Sequence, residues 1–226
     1  MNRTFIKKII KALLVFLLFN YSWMLQAIPF ILFNMKSSDL TGHASVMLSF
    51  FSSFVLGIIL LFIYRKDLKS DFLKFKKKFS FNLDIGLRYW VIGLAGMMVA
   101  NFFINVIFNG GQAGNEEAVQ NMISSLPWLM LINAGFLAPW NEEIVFRKTL
   151  KDIFKKKWVY VLISGLIFGL AHVLGNVNTW TDWLFVVSYG SLGAAFAAAY
   201  YDTDTIFTPM TFHIIHNFVL VLLSII

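Results

Sequence analysis

Seven apolar stretches, each close to the length of a bilayer crossing, leave this chain little freedom to be anything but a membrane protein. They run at about 12–33, 43–64, 87–108, 126–150, 158–174, 183–201 and 205–226. A helix needs about 20 residues to cross the hydrocarbon core. Backbone in lipid must satisfy its own hydrogen bonds, which favours helices over open sheets. The expected fold is all-α, a polytopic transmembrane helix bundle of about seven membrane-spanning helices. Composition agrees: 58% of the chain is hydrophobic and only 14% charged, where a soluble domain carries about a quarter charged residues.

The net charge of +7 would fit a nucleic-acid partner if the basic residues formed a surface. They do not. Arg3, Lys7, Lys8 and Lys11 precede the first apolar run. Arg65, Lys66, Lys69, Lys74, Lys76, Lys77, Lys78 and Arg88 lie between or at the edges of the second and third. Arg147, Lys148, Lys151, Lys155, Lys156 and Lys157 end the fourth or follow it. Of the 19 basic residues, Lys36 alone lies elsewhere. Basic clusters in alternate connections are the positive-inside pattern. The expected partners are the lipid bilayer and a peptide or protein substrate, with no nucleic acid, and the amino terminus is expected in the cytoplasm of a multi-pass cell-membrane protein. The connection 65–79 is expected inside, and the loops 109–125 and 175–182, which lack Lys and Arg, outside. Oligomeric state is not legible.

Residues 1–27 have the basic start and apolar stretch of a signal peptide. The apolar run continues through Ile28 to Phe33 across Pro29, so a retained helix is expected. Residues 1–121 read as a scaffold of transmembrane helices and 122–226 as a four-helix core that carries the chemistry. In the sixth stretch Gly190, Ala194 and Ala198 share a helix face, which lets neighbouring backbones approach closely in lipid.

The chemistry begins at Glu142 and Glu143. A carboxylate in a membrane segment is costly and points to function. On a helix Glu143 and Arg147 are four apart and pair in the favourable acid-first order. Glu142 is turned away from that pair and is free to act as a general base toward water. Pro139 and Asn141, just before the pair, suggest a bend or a cap. Of four histidines, three lie on two later apolar stretches. His172 follows Phe168 by one turn and is placed to hold a water against Glu142, while Phe168 packs. His213 and Asn217 share a face, and their N–H groups aimed at one point would stabilise an oxyanion. His216 points elsewhere. Glu116 and Glu117 read as a solvated pair in an outer loop.

Other hydrolase chemistries fit less well. The absence of cysteine excludes a thiol nucleophile, disulfides and thiolate zinc. There is no His-Glu-x-x-His motif and no Gly-x-Ser-Gly around Ser188 or Ser191. Asp202 has no Gly-x-Gly-Asp partner. Glu142, His172 and His213 nevertheless form a legitimate one-carboxylate, two-histidine zinc set.

The ordered motifs Glu-Glu-x-x-x-Arg, Phe-x-x-x-His and His-x-x-x-Asn resemble those of the CPBP family of CAAX proteases and bacteriocin-processing membrane proteins, also called Abi. The resemblance covers about residues 122–226 and extends to Ala138-Pro139 and Thr208-Pro209. Lys148 departs from it, since many members have Gly after the Arg. The resemblance implies a glutamate-dependent intramembrane endopeptidase with no cofactor and no metal. In it Glu142 and His172 activate water, His213 and Asn217 form the oxyanion site, and Glu143, Arg147 and Phe168 support them. Prenylated C-terminal peptides, bacteriocin leaders and peptide pheromones are all allowed as substrates. The alternatives are a non-catalytic interaction or bacteriocin-immunity protein on the same scaffold, and a zinc-dependent membrane metalloprotease.

Overall fold

The computed structural model of the protein describes residues 3–36, 41–108, 111 and 113–226. Every regular element among them is helical. Helix α1 (Arg3–Asn20) is followed by a 3-10 turn (Ser22–Gln26) and the short α2 (Ala27–Leu32). Two long helices come next, α3 (Gly42–Lys77) and α4 (Phe79–Phe108). Helix α5 (Gly114–Ser125) leads to a broken segment: α6 (Pro127–Ile132), a π-turn (Asn133–Leu137), α7 (Ala138–Glu142), a second π-turn (Glu143–Lys148) and α8 (Thr149–Ile153). Helix α9 (Lys157–Val173), a 3-10 turn (Trp180–Leu184), α10 (Phe185–Thr203) and α11 (Phe207–Ile225) complete the chain.

The helical bundle agrees with the sequence; the number of about seven spans is not confirmed. Four helical stretches among the described residues are long and apolar enough to cross a membrane: Gly42–Lys77, Phe79–Phe108, Trp180–Thr203 and Phe207–Ile225. A fifth is formed if Arg3–Asn20 and Ser22–Leu32, bent by 51° to one another, count as one span. Helix α9 is apolar and has 17 residues, at the lower limit of the length a crossing needs. The stretch 126–150 is helical almost throughout but is not one regular α-helix, because two π-turns interrupt it. Its residues 143–150 are all buried inside the protein. Interrupted helix at membrane depth is tolerated where protein encloses it.

Two connections also differ from expectation. The basic stretch 65–79 is helix almost throughout, because α3 runs to Lys77 and α4 starts at Phe79, with only Lys78 (φ −123°, ψ 41°) turning between them. Leu68, Asp71 and Phe75 are buried on one face of that extension, an amphipathic pattern that whole-window hydropathy averages away. The outer loop 109–125 carries α5, with Glu116 and Glu117 in its first turn, where the helix dipole favours acid. Asn109, Gly110 and Gln112 of that loop lie outside the described residues. The two portions drawn at 121/122 meet inside α5.

Helix starts and stops follow local chemistry. Thr41 caps α3, its Oγ1 accepting from the Ala44 N–H at 3.2 Å, and Lys74, Lys76 and Lys77 occupy the last turn, opposite in sign to the dipole. Pro127 opens α6, where a missing N–H costs nothing. Helix α10 ends on Asp204 in the left-handed conformation, φ 52°.

Helix α10 is the most enclosed span, lying between α9 and α4, and α4 is the most exposed to lipid. The expected small-residue face makes this possible. A Cβ on Gly165 would stand 2.8 Å from the Ala194 Cβ, and one on Gly93 would stand 2.6 Å from the Ala195 Cβ. At the basic end, Asp71 accepts from the Tyr200 hydroxyl and the Ile206 N–H, both at 3.2 Å. Asp204 pairs with Lys74 at 2.7 Å and Lys151 at 2.8 Å. These contacts tie α3 and α8 to the turn between α10 and α11.

Candidate active site

Both glutamates lie where α7 loosens into the second π-turn. Such turns leave backbone groups without regular helical partners and recur at functional sites. Here neighbours occupy three of the carbonyls. Ile144 accepts from the Thr149 hydroxyl at 3.0 Å, Phe146 from Ser164 at 2.7 Å and Arg147 from Tyr160 at 3.2 Å. Helix α9 thus fixes the backbone that carries Glu142 and Glu143. The earlier π-turn precedes Pro139, whose ring removes a helical N–H. Asn141 does not cap α7; its amide donates to the Ser53 carbonyl on α3 at 2.9 Å.

Glu143 and Arg147 are completely buried, with Arg147 Nη1 at 3.3 Å from Glu143 Oε1. The guanidinium also reaches the Gly193 carbonyl at 3.4 Å and lies 4.1 Å from the Phe168 ring centroid. The pairing read from the spacing is present, and Glu143 has a second partner that spacing did not reveal. His213 Nδ1 lies 2.8 Å from the same Oε1. A carboxylate only accepts, so His213 carries its proton on Nδ1 and turns Nε2 away from Glu143.

That Nε2 faces Glu142 Oε2 at 3.6 Å, and His172 Nε2 faces the same oxygen at 3.9 Å. His172 Nδ1 is bonded to the Phe168 carbonyl at 2.9 Å, which places its proton on Nδ1 as well. In the neutral form, two imidazole lone pairs and one carboxylate oxygen therefore converge. The separations are too long for direct hydrogen bonds and suit a bridging donor such as water. Among the described residues no group of three or more His, Cys, Asp and Glu is arranged to hold a metal ion.

The walls are aromatic. Phe168 stacks 4.2 Å from the His172 ring, Tyr189 lies 4.8 Å from His172, and Phe196 lies 5.0 Å from His213. Phe196 and Tyr189 were missed by sequence reading. A single bulky residue inside Ala194–Ala199 was the available signal for Phe196. Asn217 stands one turn beyond His213, and its Nδ2 donates to the Ala134 carbonyl of the first π-turn at 3.1 Å. His216 is buried edge-on to Trp90, 6.5 Å between rings, away from the glutamates.

Residues 124–219, the stretch holding Glu142, Glu143, Arg147, Phe168, His172, His213 and Asn217, match the family model described as type II CAAX prenyl endopeptidase Rce1-like. Over this region the chain is similar to CAAX-type membrane proteases. It is 26% identical over 178 residues to "Putative membrane peptidase YdiL" of Bacillus subtilis (strain 168), covering 76% of this chain and 69% of that protein. It is 26% identical over 141 residues to "Membrane-embedded CAAX protease MroQ" of Staphylococcus aureus (strain USA300), covering 56% of this chain and 53% of that one. No solved structure matches the chain. These similarities, with the apolar helices, support a multi-pass membrane protease of the CAAX type.

Proposed function

We propose that this protein is a CAAX-type protease that hydrolyses peptide bonds within the bilayer by means of a water activated at Glu142. The observation that carries the reading is the convergence of His172 Nε2 and His213 Nε2 on Glu142 Oε2. A water held there directs its two hydrogens at the Glu142 carboxylate and the His172 Nε2 lone pair and keeps its oxygen exposed for attack. As that oxygen adds to the scissile carbonyl carbon, Glu142 takes the proton and the carbonyl oxygen becomes an oxyanion. Asn217 keeps a second Nδ2 hydrogen besides the one given to Ala134, and His213, once it has taken a proton from solvent ahead of the attack, donates from Nε2. These two groups are the proposed oxyanion donors. Collapse of the intermediate breaks the C–N bond, and the proton held by Glu142 passes to the leaving amine.

The remaining groups position these. Glu143 orients His213 as the carboxylate of a catalytic triad orients its imidazole, Arg147 neutralises Glu143, and Phe168 supports both His172 and the guanidinium. The substrate is a peptide or protein segment at the membrane, and the basic ends of the helices are placed in the cytoplasm. Comparative peptidomics of cells carrying the wild type and Glu142→Gln tests the function. Peptides should disappear from the variant while its membrane level stays normal. An unchanged peptide pattern would remove Glu142 from the role of base.

A further inference from the structure

A second polar feature lies on the other side of Glu142 from the histidine cluster. A cleft of about 270 Å³ runs between the bent first segment and α3. Ser22 and Gln26 contribute one wall, Ser49, Ser52 and Ser53 the other, and Asn141 and Glu142 lie along it. Neither His172 nor His213 lines it. Apart from Glu142 its polar residues are neutral, a concentration of hydroxyl and amide groups that lipid would not tolerate without partners.

Glu142 keeps 14% of its side chain exposed although its Oε2, turned to the histidines, is buried. A water occupies about 30 Å³ and needs two to four polar partners, so the cleft has room and partners for a file of them.

The direction of the cleft follows from the helices that form it. Ser22 and Gln26 lie beyond the carboxyl end of α1, whose amino end carries Arg3, Lys7, Lys8 and Lys11. Ser49 is seven residues from the start of α3, about 10 Å along the helix, and about 42 Å from Lys77 at its other end. The cleft therefore opens into the half of the bilayer remote from the basic ends. Ser22, Gln26, Ser49 and Ser53 are partly exposed there.

We infer that this cleft is the entry path of the hydrolytic water, leading from the half of the membrane remote from the basic ends to Glu142. It rests on the proposal that Glu142 activates water. It assigns a task to the amino-terminal helices, which lie outside the family match, and it separates water supply from the histidine side, where the peptide must present its carbonyl.

The chain lacks cysteine, so single cysteines at Ser49, Ser53 and the lipid-facing Phe54, 48% exposed, report hydration cleanly. Sealed vesicles of each orientation are treated with a cationic, membrane-impermeant methanethiosulfonate. A thiol reacts as its thiolate, and apolar surroundings suppress ionisation, so the cleft cysteines should react on the order of tenfold or more faster than Phe54→Cys. They should do so only from the side remote from the basic ends. Rates equal to that of Phe54→Cys, or reaction from the basic side, would overturn the path. The same rates measured with Glu142→Gln keep the result independent of catalysis. As a second arm, Ser52→Leu fills the cleft with apolar atoms and should diminish the peptides that Glu142→Gln removes; a hydrated cleft whose filling leaves them unchanged is not the water supply. Should Glu142→Gln itself change no peptide, the base assignment fails while the thiol rates still decide whether the cleft is hydrated.

Discussion

His213 on the last helix directs Nδ1 at Glu143 across 2.8 Å, joining residues 70 apart in sequence. The carboxylate that balances Arg147 therefore also sets which imidazole nitrogen faces Glu142. Stability and chemistry meet in one side chain, and substitutions at the two glutamates should separate them.

Glu142→Gln should abolish hydrolysis with little change in melting temperature, because the shape and the buried pair both remain. Glu143→Gln should do both kinds of damage. It leaves the fully buried Arg147 without its counter-charge, which typically costs ~3–5 kcal/mol. A glutamine amide can also donate to His213 Nδ1 and reverse its tautomer. Thermal melting in detergent beside the kcat of both variants checks this. A Glu143→Gln protein as stable as the wild type would contradict the pairing.

Asn217→Ala should lower kcat by ~10²–10³, the usual loss of an oxyanion donor. It should also cost ~1 kcal/mol of stability, since the Ala134 carbonyl loses a hydrogen bond. Stability loss with unchanged kcat would leave Asn217 as a brace for the first π-turn and nothing more.

Gly193→Ala should destabilise by ~1–3 kcal/mol, the range of an overpacked core. The added Cβ would stand 2.8 Å from the Phe168 ring, against which Arg147 and His172 both pack. Activity should fall along with the melting temperature. Shortening the ring in Gly193→Ala/Phe168→Leu should recover stability before it recovers activity.

Acid should loosen the basic end of the bundle. Burial pushes the Asp204 carboxyl up, but hydrogen bonds from Lys151 and Lys74 outweigh it and hold the group below its ordinary value of 3.8. A lowered folded value means that the stabilisation is complete above the unfolded value and is lost as pH falls through the folded one. Melting temperature should therefore drop below about pH 4 more steeply in the wild type than in Asp204→Asn. Asp204 is largely exposed, so salt should shrink the difference. Parallel curves for the two proteins would dismiss the contribution.

Purified protein should keep full activity in chelator and contain no stoichiometric zinc. Activity lost with zinc and restored with it would convert Glu142, His172 and His213 from holders of water to metal ligands.

The sequence by itself determined the class of this protein and the identity of its chemical groups. Long apolar stretches dictate membrane helices because the cost of unsatisfied backbone in lipid acts locally, whatever the neighbours. The Glu143–Arg147 pair was legible for the same reason, since four-residue spacing brings side chains together on a helix. The tertiary structure decided the rest. Hydropathy cannot distinguish an apolar segment facing lipid from one enclosed by protein, so the burial of 143–150 and the two π-turns within 126–150 were not legible. Each π-turn shifts the helical phase, and periodicity read through it loses register. The second partner of Glu143, the bond from Asn217 to Ala134 and the polar cleft beside Asn141 all depend on which helices become neighbours. That choice was made by close approach at Gly93, Gly165 and Gly193, where a side chain's absence rather than its chemistry sets the distance between backbones.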